Sequence, residues 1–491
     1  MADATSDETG AGEGGGWIDH PFGVNAQVPR RPSAEFPFVA ESDLPYENLR
    51  RAWELMLGAS QWVRIGQWAD RTSWDNVEIE MGRLHLDPDV EKAIAEATER
   101  GLRVQVTLCY GNPLYCGPSY RAPRVVPNVW DGRRSCFWAP LTPDAIDAFA
   151  AYCAYMVRRL GGWVKDWEIW NEENLASATG SYFWAPERDP AAYTRLFKAA
   201  AQRIKEVDPA ARVAFGGVAG IDTAYLEECL QHGAGEYVDV IPFHPYRAPN
   251  SAGCTGTPEG PSGSLGGASP YAAYREDIER LRELVARYAP GAMLWANETG
   301  WPVPPAAPDP RLSIPAFWDR PVGELTQAKY LARAYLQNLA LGIPTAWWWL
   351  LNAGRVGNFG VRAAPDEALL RDDLSPRPAF HTLAALGAAF GRRVRPVPLA
   401  PMAAIHDAPA ALHAYAFERG DGRHVLALWL AEVAQDNSPL RPLTLTMREP
   451  LPAHVTITHL VGDTPPQSGL ALHDARMLEL EVGAAPLLVY P

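Results

Sequence analysis

The strongest constraint on this chain is an alternation running from Phe22 to Phe390: short apolar segments, each followed by a stretch with apolar residues at helical spacing. β-Strands are expected at 22–25, 61–66, 102–108, 165–172, 212–217, 238–246, 293–298 and 345–350, with helices between them. The helix punctuation is explicit. Gly101 follows the helix expected at 87–100, Thr142-Pro143-Asp144 supplies an N-cap with Pro at the first helical position, and Asp208-Pro209 closes the helix at 190–207. Ile146, Phe149, Ala150, Cys153, Met156, Val157 and Leu160 keep one helical face. Eight strands alternating with helices, with longer loops after the strands than before them, predict an α/β fold of the (β/α)8 TIM-barrel type. In that fold the loops after the strands carry function.

Beyond Pro396 the apolar period changes from helical to two. Segments at 412–417, 425–430, 443–446, 455–458, 478–482 and 487–490 alternate, and Gly420-Asp421-Gly422 joins the first two as a hairpin. A C-terminal antiparallel β-sandwich is expected there. The organisation read from the chain is a disordered tail at 1–16, a catalytic barrel at 17–392 and an accessory sandwich at 393–491.

Two apolar segments end abruptly in acid. Trp167-Glu168-Ile169-Trp170 runs into Asn171-Glu172-Glu173, and Leu294-Trp295-Ala296 runs into Asn297-Glu298 before Gly300 and Pro302 stop the strand. A lone strand-end Glu is more often a cap or an arginine partner. Two of them, each after Asn and each ending a barrel strand, fit the chemistry of glycosidic cleavage, where one carboxyl protonates the leaving oxygen while the other attacks the anomeric carbon. Arg64 lies inside an apolar strand, where an unpaired charge is costly, so it should meet a carboxylate, either as a structural ion pair or to orient a catalytic Glu.

The net charge of −14 argues against a nucleic-acid partner, because phosphate contact needs clustered cations. The densest basic cluster, Arg392, Arg393 and Arg395, sits in a Pro-containing connection and reads as a solvated linker. The first 16 residues lack the apolar centre of a secretion signal, and no later run approaches membrane-spanning length; no membrane partner and a cytoplasmic location are expected. Six cysteines are too few for a disulfide scaffold. Cys116 and Cys136 share a long loop and can pair in an oxidising compartment; free thiols are expected. No Cys/His cluster has ligand spacing, so neither metal nor organic cofactor is expected. Eighteen Trp exceed ordinary usage and suit the apolar faces of sugars, although packing of strand on helix is the plainer role for any one of them.

Trp170-Asn171-Glu172 after a fourth strand and Asn297-Glu298 after a seventh resemble the retaining glycoside hydrolases of clan A. With the Tyr110-Gly111-Asn112-Pro113-Leu114-Tyr115 loop, the Phe243-His244-Pro245-Tyr246 strand end and the trailing sandwich, the chain looks most like glycoside hydrolase family 39 and its relatives, over about residues 17–490. The resemblance implies Glu172 as general acid/base, Glu298 as nucleophile, Asn171 on the sugar 2-hydroxyl and Tyr246 orienting Glu298. It implies that His244, Arg64 and Trp348 line the subsite of the attacked sugar. Trp347, Trp348 and Trp349 cannot all face the barrel interior, and Trp348 is preferred by its spacing from Asn352. One departure stands out: the clan has Pro after the acid/base, and Glu173 occupies that position here, where it can raise the pKa of Glu172 or compete for its role. A β-linked carbohydrate substrate, retention through a covalent glycosyl-enzyme and a carboxyl separation of ~5–5.5 Å follow from the resemblance. Transfer to an acceptor sugar, and a barrel that binds polysaccharide without cutting it, remain the alternatives. Long loops at 111–140, 247–270 and 302–323 favour a pocket and exo action.

Overall fold

The computed structural model describes residues 16–29, 46–67, 71–116, 138–176, 183–184, 186–247, 256–260, 273–304, 320–347, 349–351, 367–452, 455–461, 468–470 and 476–491. Eight parallel strands form one sheet: β1 Phe22–Asn25, β2 Trp62–Ile65, β3 Arg103–Leu108, β4 Asp166–Ile169, β5 Arg212–Ala214, β6 Val240–His244, β7 Met293–Trp295 and β8 Thr345–Trp347. Their order is β8-β1-β2-β3-β4-β5-β6-β7. A parallel bridge between Ala296 and Thr345, with the Ala346 N–H donating to the Ala296 carbonyl at 2.9 Å, joins β7 to β8 and closes the ring. The expected (β/α)8 TIM barrel is the fold found. A two-residue strand, Val218–Ala219, adds to the top of β6.

Among the described residues, eight helices of nine residues or more follow the strands: α1 Tyr46–Ala59, α2 Pro88–Glu99, α3 Pro143–Leu160, α4 Pro190–Val207, α5 Thr223–Gln231, α6 Ala273–Tyr288, α7 Glu324–Ala340 and α8 Pro378–Phe390. Four of these start at Pro, whose missing N–H costs nothing in a first turn. Asp87, Thr142, Asp189 and Asp222 accept from free first-turn N–H groups of α2, α3, α4 and α5. The apolar face of α3 is buried from Phe149 to Leu160, with Ile146 packed at its margin.

The chain continues as an antiparallel sandwich: β9 Arg393–Val397, β10 Ala403–His406, β11 Leu412–Arg419, β12 His424–Leu430, β13 Arg441–Met447, β14 Thr456–His459, β15 Ser468–Leu470, β16 Met477–Val482 and β17 Leu487–Tyr490. One sheet has the order β9-β11-β12-β17-β14-β15 and the other β10-β13-β16. The first sheet is the middle layer of the molecule. Val425, Ala427 and Trp429 of β12 pack into the barrel's core, while Leu426, Leu428 and Leu430 pack toward the second sheet. A strand's period of two makes this possible.

Polar contacts reinforce that junction. Arg333 on α7 is fully buried against Glu259, with Nε 2.9 Å from Oε1, and donates from Nη1 to the Glu432 carbonyl at 2.8 Å. The Trp429 indole donates to the same Glu259 oxygen at 2.7 Å.

The basic stretch read as a solvated linker is instead a strand. Arg395 pairs with Glu418 at 2.6 Å, Arg393 and Arg395 lie over the Trp17 ring, and Arg392 donates to the Arg100 carbonyl. The two-residue strand Ile18–Asp19 pairs with β9, so the beginning of the described chain crosses into the sandwich sheet. Among the described residues no helix is long and apolar enough to cross a membrane. Cys116 is a buried free thiol; Cys136, its suggested partner, lies outside the described residues. The expected disordered tail and much of the three long rim loops lie outside them as well.

Candidate active site

Polar side chains face the barrel interior toward the C-terminal ends of the strands. Asn25 ends β1, Arg64 lies in β2, Gln105 and Thr107 in β3, Glu168 in β4, and all are buried. Asn25, Arg64 and Gln105 are level in register, and Thr107 and Glu168 are level two residues further along, within reach of the long Arg64 side chain.

Arg64 is the hub. Its Nε and Nη2 donate to the two oxygens of Glu168 at 2.7 and 3.0 Å. Nη1 donates to Glu298 Oε2 at 2.9 Å and Asn25 Oδ1 at 3.1 Å, and Nη2 also donates to Asn171 Oδ1 at 2.7 Å. Both roles weighed for Arg64 are therefore present in one side chain, a structural ion pair with Glu168 and a contact on Glu298. Glu168 also accepts from Gln105 at 2.9 Å, Thr107 at 2.8 Å and Asn297 at 3.0 Å. A carboxylate with this many donors offsets its burial.

β4 ends at Ile169, earlier than its sequence suggests, because the next residues leave the extended conformation. Trp170 has φ of 75° and Glu172 φ of 50°. The Trp170 ring is buried with its indole donating to the Phe183 carbonyl at 2.8 Å, and the Glu172 N–H donates to the Gly216 carbonyl at 2.9 Å. Those anchors turn the Glu172 side chain over the ring of strands. Gly217, itself at φ 62°, makes room: a Cβ there would sit 2.6 Å from both Glu168 Oε1 and His244 Nε2.

Glu172, His244 and Glu298 meet. One carboxylate oxygen from each Glu and one His244 ring nitrogen lie within 4.8 Å of one another. His244 Nδ1 is 2.8 Å from Glu172 Oε1 and 3.2 Å from Glu298 Oε2. The Tyr246 hydroxyl donates to Glu298 Oε1 at 2.9 Å. Asn171 donates from Nδ2 to the Tyr110 hydroxyl at 3.0 Å.

The two carboxyls are not equivalent. Burial pushes Glu172 up to about 8, with Arg64 opposing and Glu168 adding to the shift. Burial also raises Glu298, against the pull of His244, Arg64 and Tyr246 and with the Glu172 charge adding. Glu298 has three such favourable neighbours, whereas Glu172 has the imidazole and a distant guanidinium, so a proton shared by the pair rests on Glu172. Burial lowers His244 to about 4, which leaves a neutral ring.

Glu173 does not compete for the cleft. Its side chain is fully buried against Gly216, on the side of Tyr193, Tyr225 and Cys229 of α4 and α5. Burial raises its pKa well above the usual range.

Of the residues singled out from the sequence, Glu172, Glu298, Asn171, His244, Tyr246 and Arg64 converge here, and Trp348 lies outside the described residues. Its neighbour Trp347 is buried in the core, donating to the Glu367 carbonyl at 2.7 Å. Sequence reading missed Glu168, Asn25, Tyr110 and Gln67. For Glu168 a signal existed: it is a charge inside an apolar strand, the same oddity that singled out Arg64.

No family model matches the chain and no curated protein does. Solved structures share its fold. A family 39 glycoside hydrolase from the gut symbiont Bacteroides cellulosilyticus WH2 superposes with a TM-score of 0.65 at 19% identity, over 96% of this chain and 81% of its own. A monomeric β-xylosidase from Caulobacter crescentus CB15 gives 0.58 at 15% identity, over 97% of each chain. A family 51 arabinofuranosidase from Xanthomonas axonopodis pv. citri gives 0.55 at 15% identity, again over 97% of each. The chain thus has the barrel-and-sandwich fold of these clan A glycoside hydrolases along nearly its whole length.

Proposed function

We propose that the protein is a retaining glycosidase acting on β-linked oligo- or polysaccharides by double displacement. The observation that carries this reading is the approach of Glu172 and Glu298 to within 4.8 Å across His244, with unequal hydrogen-bond support. An oxygen-to-oxygen approach this close favours direct attack by a carboxylate over the wider separation of carboxyl groups, ~6.5–9.5 Å, that seats a water for inversion.

In the first step a Glu298 oxygen bonds to the anomeric carbon as the bond from that carbon to the leaving oxygen breaks. The Glu172 proton passes to that oxygen. With His244 Nδ1–H donating to Glu172 Oε1, the acidic proton is left on Oε2. In the second step the emptied Glu172 takes a proton from water, the water oxygen bonds to the anomeric carbon, and Glu298 leaves as a carboxylate. Arg64 and Tyr246 hold Glu298 ionised between turnovers, and the spare N–H of Asn171 faces a hydroxyl of the sugar. The β-xylosidase named above supports testing β-xylosides first.

A panel of aryl β-xyloside, β-glucoside, β-galactoside and α-arabinoside tests the activity. A 2-fluoro aryl glycoside of the best sugar tests the mechanism, and a stoichiometric adduct on the peptide containing Glu298 is expected. Inverted product, or an adduct elsewhere, would refute it. Products larger than the substrate would reveal transfer to an acceptor sugar.

A further inference from the structure

The turn that follows β6 carries contacts on both carboxyls of the site. β6 ends at His244, and the Tyr246 N–H donates back across Pro245 to the His244 carbonyl at 2.8 Å, closing a three-residue turn. His244 and Tyr246 therefore leave the chain close together, with their rings edge to face and the centroids 6.5 Å apart. His244 reaches Glu172 and Glu298, and the Tyr246 hydroxyl reaches Glu298. A turn this short is held by one backbone bond, so its pose depends on what fixes the chain beyond it.

The next residue supplies that hold. Arg247 is buried, and its Nη2 donates to Asp277 Oδ2 in the second turn of α6. Its guanidinium carbon lies 4.9 Å from the centre of the Tyr274 ring. Tyr274 and Asp277 are three apart on α6 and share its buried face, so one stacks on the guanidinium while the other pairs with it. Tyr274 is pinned in turn, its N–H donating to the Glu259 carbonyl at 3.0 Å and its hydroxyl to Asn338 Oδ1 of α7 at 2.5 Å. Arg247 Nε and Nη1, by contrast, are buried without an acceptor. Apolar side chains of similar volume often match a buried ion pair in stability, and this one is only partly satisfied, so what it contributes is direction.

We propose that Arg247 is a positioning residue: its ion pair with Asp277 fixes the far end of the turn and so keeps the Tyr246 hydroxyl on Glu298, the carboxylate that attacks the sugar. This rests on the glycosidase reading above and deepens it. The groups facing Glu298 come from three strands and the residues just beyond them. Arg64 and Gln67 come from the β2 side, Glu172 from the end of β4, and His244 and Tyr246 from β6 and its turn. The Gln67 amide nitrogen, 3.4 Å from Glu298 Oε2, is also 2.5 Å from Asn171 Oδ1. Glu367 lies on the Tyr246 side. Arg64 and His244 sit within strands and keep their places when Arg247 is changed, so the Tyr246 hydrogen bond is the contact that moves. Without that donor the Glu298 anion is less stabilised, and its ionisation shifts to higher pH.

The pH dependence of kcat/KM on an activated aryl glycoside tests it, for the wild type, Arg247→Met, Tyr246→Phe and the double variant. Tyr246→Phe should move the acidic limb upward by about half a pH unit or more, roughly threefold in activity on that limb. Arg247→Met should move it in the same direction, and the double variant should go no further than Tyr246→Phe alone, because the hydroxyl through which Arg247 acts is gone. Asp277 keeps Arg280 as a partner in Arg247→Met, which favours folding. Should that variant not fold, Arg247→Lys, which keeps a cation beside Asp277 without a planar group over Tyr274, decides by the same criteria. An unmoved acidic limb, or shifts that add in the double variant, would overturn the proposal, since a purely structural role lowers the melting temperature and scales kcat/KM by one factor at every pH. A wild type inert on every glycoside overturns the glycosidase reading and this proposal with it, a result distinct from an active enzyme whose acidic limb stays in place.

Discussion

At the N-terminal end of the barrel, Asp166 opens β4 and accepts from the Nε atoms of Arg103 and Arg212, each at 2.6 Å. At the other end of the same segment, Glu172 faces one imidazole nitrogen. Both carboxyls are buried, yet their titration goes opposite ways. Burial pushes Asp166 up, but the two arginine forks outweigh it and hold the carboxyl below its usual range. Glu172 has no fork, and burial wins. What separates the lowered carboxyl from the raised one is therefore the pair of guanidinium groups within hydrogen-bond reach of Asp166, while depth is nearly the same.

The largest effects that would break this comparison concern activity. Glu298→Ala should lower turnover of every glycoside about 10,000-fold or more. Glu172→Ala should cost ~100- to 10,000-fold on substrates with poor leaving groups but spare the glycosylation of aryl glycosides that leave unaided. Asp166→Asn should leave kcat within about threefold on the same assays. Equal losses in Glu172→Ala and Glu298→Ala would remove the distinction between acid and nucleophile.

Stability should rank the two ends in the same order. Arg64→Met strips Glu168 and Glu298 of their shared cation inside the barrel, for a loss of roughly 3–5 kcal/mol in urea unfolding. Asp166→Asn keeps a hydrogen-bonding group between two arginines that reach toward solvent, and a loss of about 1–2 kcal/mol is expected. The reverse ranking would mean that the polar ring is less tightly coupled than its distances imply.

The pH profile sharpens the contrast further. On the proposed mechanism Glu172 donates a proton, so kcat/KM should fall as pH rises through about 8, the value to which burial lifts it. In Glu172→Gln assayed with an activated aryl substrate, that alkaline limb should vanish while the acidic limb, set by ionisation of Glu298, persists. The smallest effect is expected at Glu173. Burial favours its neutral form, so Glu173→Gln should change unfolding free energy by no more than about 1 kcal/mol and leave the profile in place.

Much of this molecule was legible in advance because its signals are local. The caps at Asp87 and Thr142, the Pro-led helices and the apolar strand runs all act within a few residues, and the alternation they mark is enough to specify a barrel. Glu172 and Glu298 were legible as site candidates for a different reason: a carboxylate ending an apolar strand is conspicuous. Gln67 was not, because it follows a strand end in a polar loop and acquires meaning only from Asn171, whose position along the chain is remote. β9 was missed because Arg393, Arg395 and Pro396 read as a connector. Its one long partner is β11, and on the other side only two residues pair with it, so a proline and several charges are tolerated as they are near a sheet edge.

The junction through Glu259 carries a lesson for anyone wishing to cut this protein apart. Arg333 belongs to the barrel's seventh helix, yet one of its donors ends on a carbonyl of the sandwich, and Trp429 reaches back to the same carboxylate. Expressing residues through α8 alone would leave Glu259 short of a donor and open the apolar underside that Phe417, Val425 and Trp429 cover. A chimera that borrows a foreign sandwich must bring an indole and a carbonyl to those two places, so the appended layer behaves as a wall of the barrel rather than as an interchangeable attachment.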